Sequence, residues 1–338
     1  MKKLSIVLPC YNAEKYIRET LESIISQTFP MADLEVIAVD NGSEDGTLSI
    51  LQEYEEAYPE SFLLVVIPQN RMAGYARNTG LSYVTAPFVL FVDSDDWLLE
   101  NALEEIYQKM VELDVDVLEF DCMTGVSKET LKPRGAENTE AVQIFRLEDD
   151  TQRRIFYAAG MKSGFPFTKL FKTEFLRSNQ IYFAEGLRYE DTIFIMMVTL
   201  LARTYAIYDK SLYGYRINDS GISFGCRKND YGQFDRMKVQ QLMIRECDRR
   251  GLLERFYDMI EANFMRVGYA ETFQPVVRRF DHLPKELVEM GALAKSYFPN
   301  YKQNYFLNLP QNKWVLKILE SLDQELTEEE FKRWKAVE

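Results

Sequence analysis

The 338-residue chain is long enough to bury one large core with an appendage or two separate cores. Hydrophobic residues at 46% and aromatic residues at 13% define a folded globule rather than a disordered chain. The 53 acids against 40 lysines and arginines leave a net charge of -13 with no basic block, which argues against nucleic acid as a partner but not against a nucleotide with metal-neutralised phosphates.

Leu4 to Leu8 reads as a first strand, and Tyr16 to Gln27 carries Ile17, Leu21, Ile24 and Ile25 at helical spacing. A strand over Leu34 to Val39, a helix over Gly46 to Tyr58, a strand over Phe62 to Ile67 and a helix over Ala73 to Tyr83 repeat the unit. Phe88 to Val92 is a fourth strand, followed by a helix with Leu103, Ile106, Tyr107 and Met110, and Val115 to Phe120 is a candidate fifth. Strands alternating with helices through short links predict a parallel, nucleotide-binding sheet. Residues 122–147 turn polar and read as a surface excursion. Apolar residues return over 165–215, with a helix over 191–201 and short strands at 205–208 and 212–215. Beyond Phe224 the pattern is helical: Phe234, Met237, Leu242, Met243 and Cys247 share a face, and Thr327-Glu328-Glu329-Glu330 is a capping box. The stripe Trp314, Val315, Ile318, Leu319 and Leu322 reads as packing against the body, with a membrane-surface helix the rarer alternative. The expected division is a catalytic domain over 1–223 and a helical region over 224–338 that contacts the acceptor, the membrane or a second subunit.

Cys10, Cys122, Cys226 and Cys247 show no paired spacing, so neither a zinc knuckle nor a disulfide framework is implied, and reduced thiols fit. Met1-Lys2-Lys3 leads straight into a strand, and no segment is long enough to span a bilayer. A cytoplasmic protein is expected, soluble or peripheral on the inner face of the cell membrane. The single histidine, His282, lies in a polar stretch and reads as a loop residue, which leaves a carboxylate as the general base.

Strand four ends in Asp93-Ser94-Asp95-Asp96-Trp97. A buried strand that stops on like charges is suited to hold a cation, and its carboxyl end is where open α/β sheets bind ligands. Alternation turns Asp93 and Asp95 to one side, and all-oxygen donors favour Mg²⁺ or Mn²⁺ over zinc. The motif alone reads equally as a solvated turn with Asp96 capping the next helix. Strand one ends Leu8-Pro9-Cys10-Tyr11-Asn12 and strand two Val39-Asp40-Asn41-Gly42-Ser43, side by side in a doubly wound sheet. Tyr11 offers a face for stacking a base, and Asp40 a carboxylate for the imide edge of a pyrimidine or for guanine. Taken singly, these are also an ordinary rim aromatic and turn formers.

Four blocks in order, Pro9-Cys10-Tyr11-Asn12, Val39-Asp40-Asn41-Gly42-Ser43-Glu44-Asp45-Gly46-Thr47, Asn70 to Gly80, and Phe91-Val92-Asp93-Ser94-Asp95-Asp96-Trp97, resemble the family 2 glycosyltransferases over residues 4–223. The resemblance implies an α/β GT-A type fold, with a mostly parallel central sheet flanked by helices, and an inverting, nucleotide-sugar-dependent enzyme. Pro9, Tyr11 and Asp40 would then frame the base, Asn12 would shape the loop, and Asn41 stands where the family often has a second aspartate. Arg77 and Asn78 would reach the nucleotide or the first acid, with Arg77 read equally as a salt-bridge partner of Asp93. The DXD motif falls on Asp93-Ser94-Asp95, where Asp95 would ligate Mn²⁺ or Mg²⁺ and Asp93 would hold ribose or the metal. In Arg188-Tyr189-Glu190-Asp191-Thr192, the Glu190-Asp191 pair is similar to the family's catalytic acids, with Asp191 as base; by position alone Asp191 is a helix cap. Asp96 is a candidate for touching the acceptor. Lys169, in Phe165-Pro166-Phe167-Thr168-Lys169, is placed against the diphosphate, against the acceptor or as a brace of its loop, and Arg216 and Ser223 sit in a closing segment of altered spacing.

The resulting expectation is a UDP-sugar-dependent transferase acting on a glycan or lipid-linked acceptor in bacterial surface polysaccharide synthesis. The alternatives are a sugar-nucleotide nucleotidyltransferase, which usually carries a basic glycine-rich loop after strand one, and a catalytically silent nucleotide-sugar binding module.

Overall fold

The computed structural model describes residues 1–133, 139–159, 163–218 and 228–337. Its first half is β1 (Leu4–Cys10), α1 (Ile17–Ile25), β2 (Leu34–Asn41), α2 (Thr47–Ala57), β3 (Phe62–Ile67), α3 (Met72–Tyr83), β4 (Phe88–Phe91), β5 (Trp97–Leu98), α4 (Ala102–Leu113) and β6 (Val117–Gly125). Then follow β7 (Lys132–Pro133), β8 (Val142–Arg146), α5 (Asp150–Ala159), β9 (Lys169–Lys172), α6 (Thr173–Ser178), α7 (Asp191–Leu201) and β10 (Thr204–Arg216).

The sheet runs β3-β2-β1-β4-β9-β6-β10-β5, with β7 paired to β6 and β8 to β10. Strands β1 to β4 are parallel, as expected. The far half is mixed: β9 lies antiparallel between β4 and β6, while β6 and β10 pair in parallel. The two short strands expected over 205–215 are one strand, β10, whose register slips between Tyr208 and Tyr213 and so broke the alternation. The polar excursion contains β8, laid antiparallel on β10.

Period-two alternation sorts the strands' side chains into two cores. Leu4, Ile6, Leu8, Val36, Ala38, Leu90 and Val92 face the layer of α1, α2 and α4, while Val7, Ile37, Val39, Val89 and Phe91 face α3, α6 and α7. Each large side chain buried in this way contributes about 2 kcal/mol. The second core continues into the helices that follow: α8 (Asp235–Arg249), α9 (Leu252–Arg255), α10 (Tyr257–Asn263), a π-helical stretch (Phe264–Ala270), α11 (Glu271–Arg279), α12 (Lys285–Tyr297), α13 (Lys313–Leu319) and α14 (Glu328–Val337). Val315, Ile318, Leu319 and Leu322 are buried in it, so that stripe packs against the body. The expected boundary at 223/224 lies outside the described residues, as do Ser223 and Cys226. No helix among the described residues is long and apolar enough to cross a membrane.

Candidate active site

Because β4 lies on the opposite side of β1 from β2, the chain reverses its winding between β1 and β4, and a crevice opens at their carboxyl ends. The β1–β2 register pairs Cys10 with Asp40 and sets Tyr11, 43% exposed, at the rim. Asn12, with φ 48, donates its backbone N–H to Ser43 Oγ at 3.1 Å and accepts from Glu44 N at 2.8 Å. Gly42, with φ 75, passes so close to the next loop that a Cβ would lie 2.6 Å from Gln69 Cα. Asn41 donates to Asn70 Oδ1 at 3.1 Å and Met72 O at 3.2 Å and accepts from Arg71 N at 3.0 Å. An aspartate could not make the first two bonds, which accounts for asparagine here. Asp40 is 1% exposed; Oδ2 accepts from Ser43 N at 3.3 Å, and Oδ1 is buried without a hydrogen-bond partner among the described residues. An orphaned buried carboxylate oxygen beside an exposed aromatic fits a donor N–H on a base edge.

At the end of β4, Asp93 Oδ1 accepts from Arg77 Nη2 at 2.6 Å, and Arg77 Nη1 donates to Glu190 Oε1. Burial opposes the guanidinium charge, but Asp93 and Glu190 more than offset it and hold its pKa above the usual value. Arg77 Nε is likewise buried without a partner among the described residues. The helix carrying Arg77 approaches the strand of chain before Asp191 closely at Gly74, where a Cβ would lie 1.9 Å from Ala184 O. Asn78 donates to Phe183 O at 3.0 Å and Glu185 Oε1 at 3.1 Å and accepts from Phe183 N at 2.9 Å, so its amide holds that segment rather than facing the crevice.

Asp95 is partly buried and accepts from Asn218 Nδ2 at 3.3 Å; burial and then the charge of Asp93 push its pKa up, which a cation would relieve. No group of three or more His, Cys, Asp or Glu that could hold a metal occurs among the described residues. Two carboxylates, one already tied to arginine, fit Mg²⁺ or Mn²⁺ completing its shell with ligand phosphates, and do not fit a metal caged by protein alone. Ser94 lies between them, its carbonyl accepting from Thr20 Oγ1 at 3.0 Å.

Like Asn78, Asp96 is placed differently from the sequence reading, whereas Lys169 takes one of the three places that reading gave it. Asp96 is fully buried and spends both oxygens inside the protein, on Tyr213 Oη at 2.7 Å and Arg216 N at 2.7 Å. It neither caps a helix, since β5 follows it, nor reaches an acceptor. Lys169 is also fully buried: Nζ donates to Ser163 O at 2.6 Å, Phe165 O at 3.0 Å and Glu119 Oε1 at 3.1 Å, the bracing role. Arg216 lies under the acids, bonded to Asp95 O at 2.6 Å and Glu19 Oε2 at 2.7 Å and stacked on Trp97 at 3.8 Å. Tyr213, which also donates to nothing but Asp96 while accepting from Asp93 N at 3.1 Å, and Glu119 are supports the sequence reading missed. Tyr213 lies in β10 and Glu119 in β6, and only their neighbours give them a role.

Tyr189 has a left-handed backbone, φ 62, costly for a non-glycine residue and characteristic of constrained functional turns. It is held by a hydrogen bond to Gln233 Oε1 at 3.0 Å and by Arg236 stacked 3.5 Å from its ring. The next residue, Glu190, occupies the N-cap of α7 but spends its carboxylate on Arg77, with no cap bond. Asp191 opens α7 and lines a cavity of about 700 Å³ between the sheet domain and the C-terminal helices. Burial, then Glu190 and Asp93, raise its pKa to about 7 against the lowering effect of Arg77. Asp191 thus stands between the Arg77 cluster and the cavity, with the pKa of a group able to take a proton near neutral pH.

An open α/β sheet with acids and an unpartnered carboxylate oxygen at its switch point defines the class of doubly wound α/β proteins, in which that point is the usual place for a ligand. The glycosyl transferase family 2 profile matches residues 5–172, and the chain belongs to that family. It is 31% identical over 231 residues to glycosyltransferase GlyA of Streptococcus pneumoniae, covering 65% of this chain and 31% of the relative. It is 31% identical over 267 residues to the poly(ribitol-phosphate) beta-N-acetylglucosaminyltransferase TarS of Staphylococcus aureus, covering 78% of this chain and 44% of the relative. The chain therefore spans less than half the length of these curated relatives. A crystal structure of S. aureus TarS 1-349 in complex with UDP-GlcNAc superposes with a TM-score of 0.62 at 24% identity, covering 95% of this chain and 92% of that one, and establishes the GT-A fold.

Proposed function

We propose that the protein transfers a sugar, with inversion, from a UDP-linked donor to a hydroxyl of a glycan or lipid-linked acceptor, in teichoic acid or polysaccharide synthesis at the cytoplasmic face of the membrane. The observation that carries this reading is Asp191, poised near pH 7 between the Arg77 cluster and a roomy cavity. Tyr11 stacks on the base, and Asp40 Oδ1 accepts the uracil imide N–H, satisfying its orphaned oxygen. Asp191 takes the proton of the acceptor hydroxyl as that oxygen bonds to the anomeric carbon, and the bond from that carbon to the diphosphate oxygen breaks with its electron pair. Arg77, bonded to Asp93 and Glu190, fixes the acids on either side of the reacting centre. Asp95, with Asp93, would hold Mn²⁺ or Mg²⁺, whose charge offsets that of the departing diphosphate.

UDP and UDP-GlcNAc are bound in solved TarS structures, which supports a uridine donor. A thermal-shift screen of nucleotide sugars with and without Mn²⁺ tests the reading. UDP-linked sugars should stabilise the protein above GDP- and CDP-linked ones, and no response to any UDP compound would refute the donor.

A further inference from the structure

The cavity beside Asp191 carries an unusual charge pattern for an acidic chain. Arg236 from α8, Arg266 from the π-helical stretch and Arg279 from α11 all line it, against the two acids Asp191 and Glu271. The chain has 53 acids for 40 basic residues, so three arginines gathered on one cavity run against its overall charge. Among the described residues Arg266 and Arg279 nevertheless have neither an ion pair nor a side-chain hydrogen bond, although both are partly buried. Among the same residues Arg236 bonds only to Gln233 Oε1, at 2.8 Å, and stacks on Tyr189. A guanidinium withdrawn from water without an acceptor is costly unless a ligand supplies one, and its planar donor fork matches phosphate oxygens.

The backbone that presents these residues is irregular in the way functional segments are. Arg266 sits in seven residues of π-helix, a rare geometry that recurs at functional sites, and Pro275, inside α11 and lining the cavity, removes a helical hydrogen bond ahead of Arg279. Both irregularities fall on segments that line the same cavity as Asp191.

We infer that this cavity is the acceptor subsite and that Arg266 and Arg279, assisted by Arg236, hold a phosphodiester of a polyol-phosphate chain while a free hydroxyl of that chain faces Asp191. The inference rests on Asp191 being the base. It gives the C-terminal helices a task, reading the acceptor's backbone charge.

Equilibrium binding to the full chain in the presence of UDP tests it with three oligomers of similar length: glycerol phosphate, galacturonate as a carboxylate chain, and maltotetraose as a neutral one. The glycerol phosphate oligomer should bind at least about tenfold tighter than either of the others, and more weakly as salt rises. The variant Arg266→Gln/Arg279→Gln should lose about tenfold or more of that affinity while its UDP affinity, which reports on the donor site alone, stays as in the wild type. Equal binding of the three oligomers, tighter binding of galacturonate, or undiminished binding by the variant would overturn the assignment. The three-oligomer comparison uses wild-type protein and decides the matter even where the variant does not fold.

Discussion

Arg77 and Glu190 lie 113 residues apart in the sequence and are joined side chain to side chain, Nη1 to Oε1. This contact ties helix α3, which also grips Asp93 at the end of β4, to the turn that presents Asp191, so the two acidic blocks form one unit.

Removing the bridge should therefore be expensive. Arg77→Met leaves Asp93 and Glu190 as unpaired, mostly buried charges, for which a loss of about 3–5 kcal/mol is expected. Urea denaturation measures it, and a change under about 1 kcal/mol would show that the cluster is solvated.

The pH dependence of transfer follows from Asp191. A carboxyl whose pKa is raised to about 7 keeps its proton below that pH and cannot act as a base, so activity should rise with pH through about 7 and fall about tenfold per unit on the acid side. Glu190 contributes to raising that pKa, so Glu190→Gln should move the acid limb downward by roughly one unit, whatever it does to the maximum rate. An acid limb that stays in place in this variant would remove Asp191 from the titration.

Asp40 supplies a test of base recognition. In Asp40→Asn the amide oxygen keeps the bond from Ser43 N and the NH₂ turns to the base, where it opposes the imide N–H of uracil but complements the ring nitrogen of cytosine. UDP affinity should fall about tenfold, and the preference for UDP over CDP should shrink by more. Titration calorimetry with both nucleotides reads this, and an unchanged ratio would place the base elsewhere.

Lys169 is expected to matter for folding rather than for binding. Lys169→Met strands Glu119 in the core beside Tyr205 and should cost about 3–5 kcal/mol, part of which Glu119→Gln should restore, with UDP affinity unaltered in the folded fraction. A Lys169→Met protein of normal stability that no longer bound UDP would return Lys169 to the diphosphate.

What could be read from the sequence follows from which signals are local. The βα units of β1 to β4 carry apolar runs with turn residues at their ends, and their order and parallel pairing follow directly. β9 was read only as a block around Lys169, and β8 was hidden in a polar stretch because edge strands need not be apolar on both faces. Asp96 shares its motif with Asp93 and Asp95, and nothing in the sequence separates them; only Tyr213 and Arg216, more than a hundred residues away, draw it inward. The cavity arginines are invisible for a related reason, since their three segments lie apart in the sequence and converge only through the shared core.

Whether Asp191 removes the acceptor proton is decided by Asp191→Asn, with donor binding and single-turnover transfer measured on the same preparation. UDP-sugar affinity should stay within about twofold of wild type, with transfer reduced by a factor of about 10²–10⁴. A folded Asp191→Asn protein that transfers sugar at the wild-type rate would contradict this role.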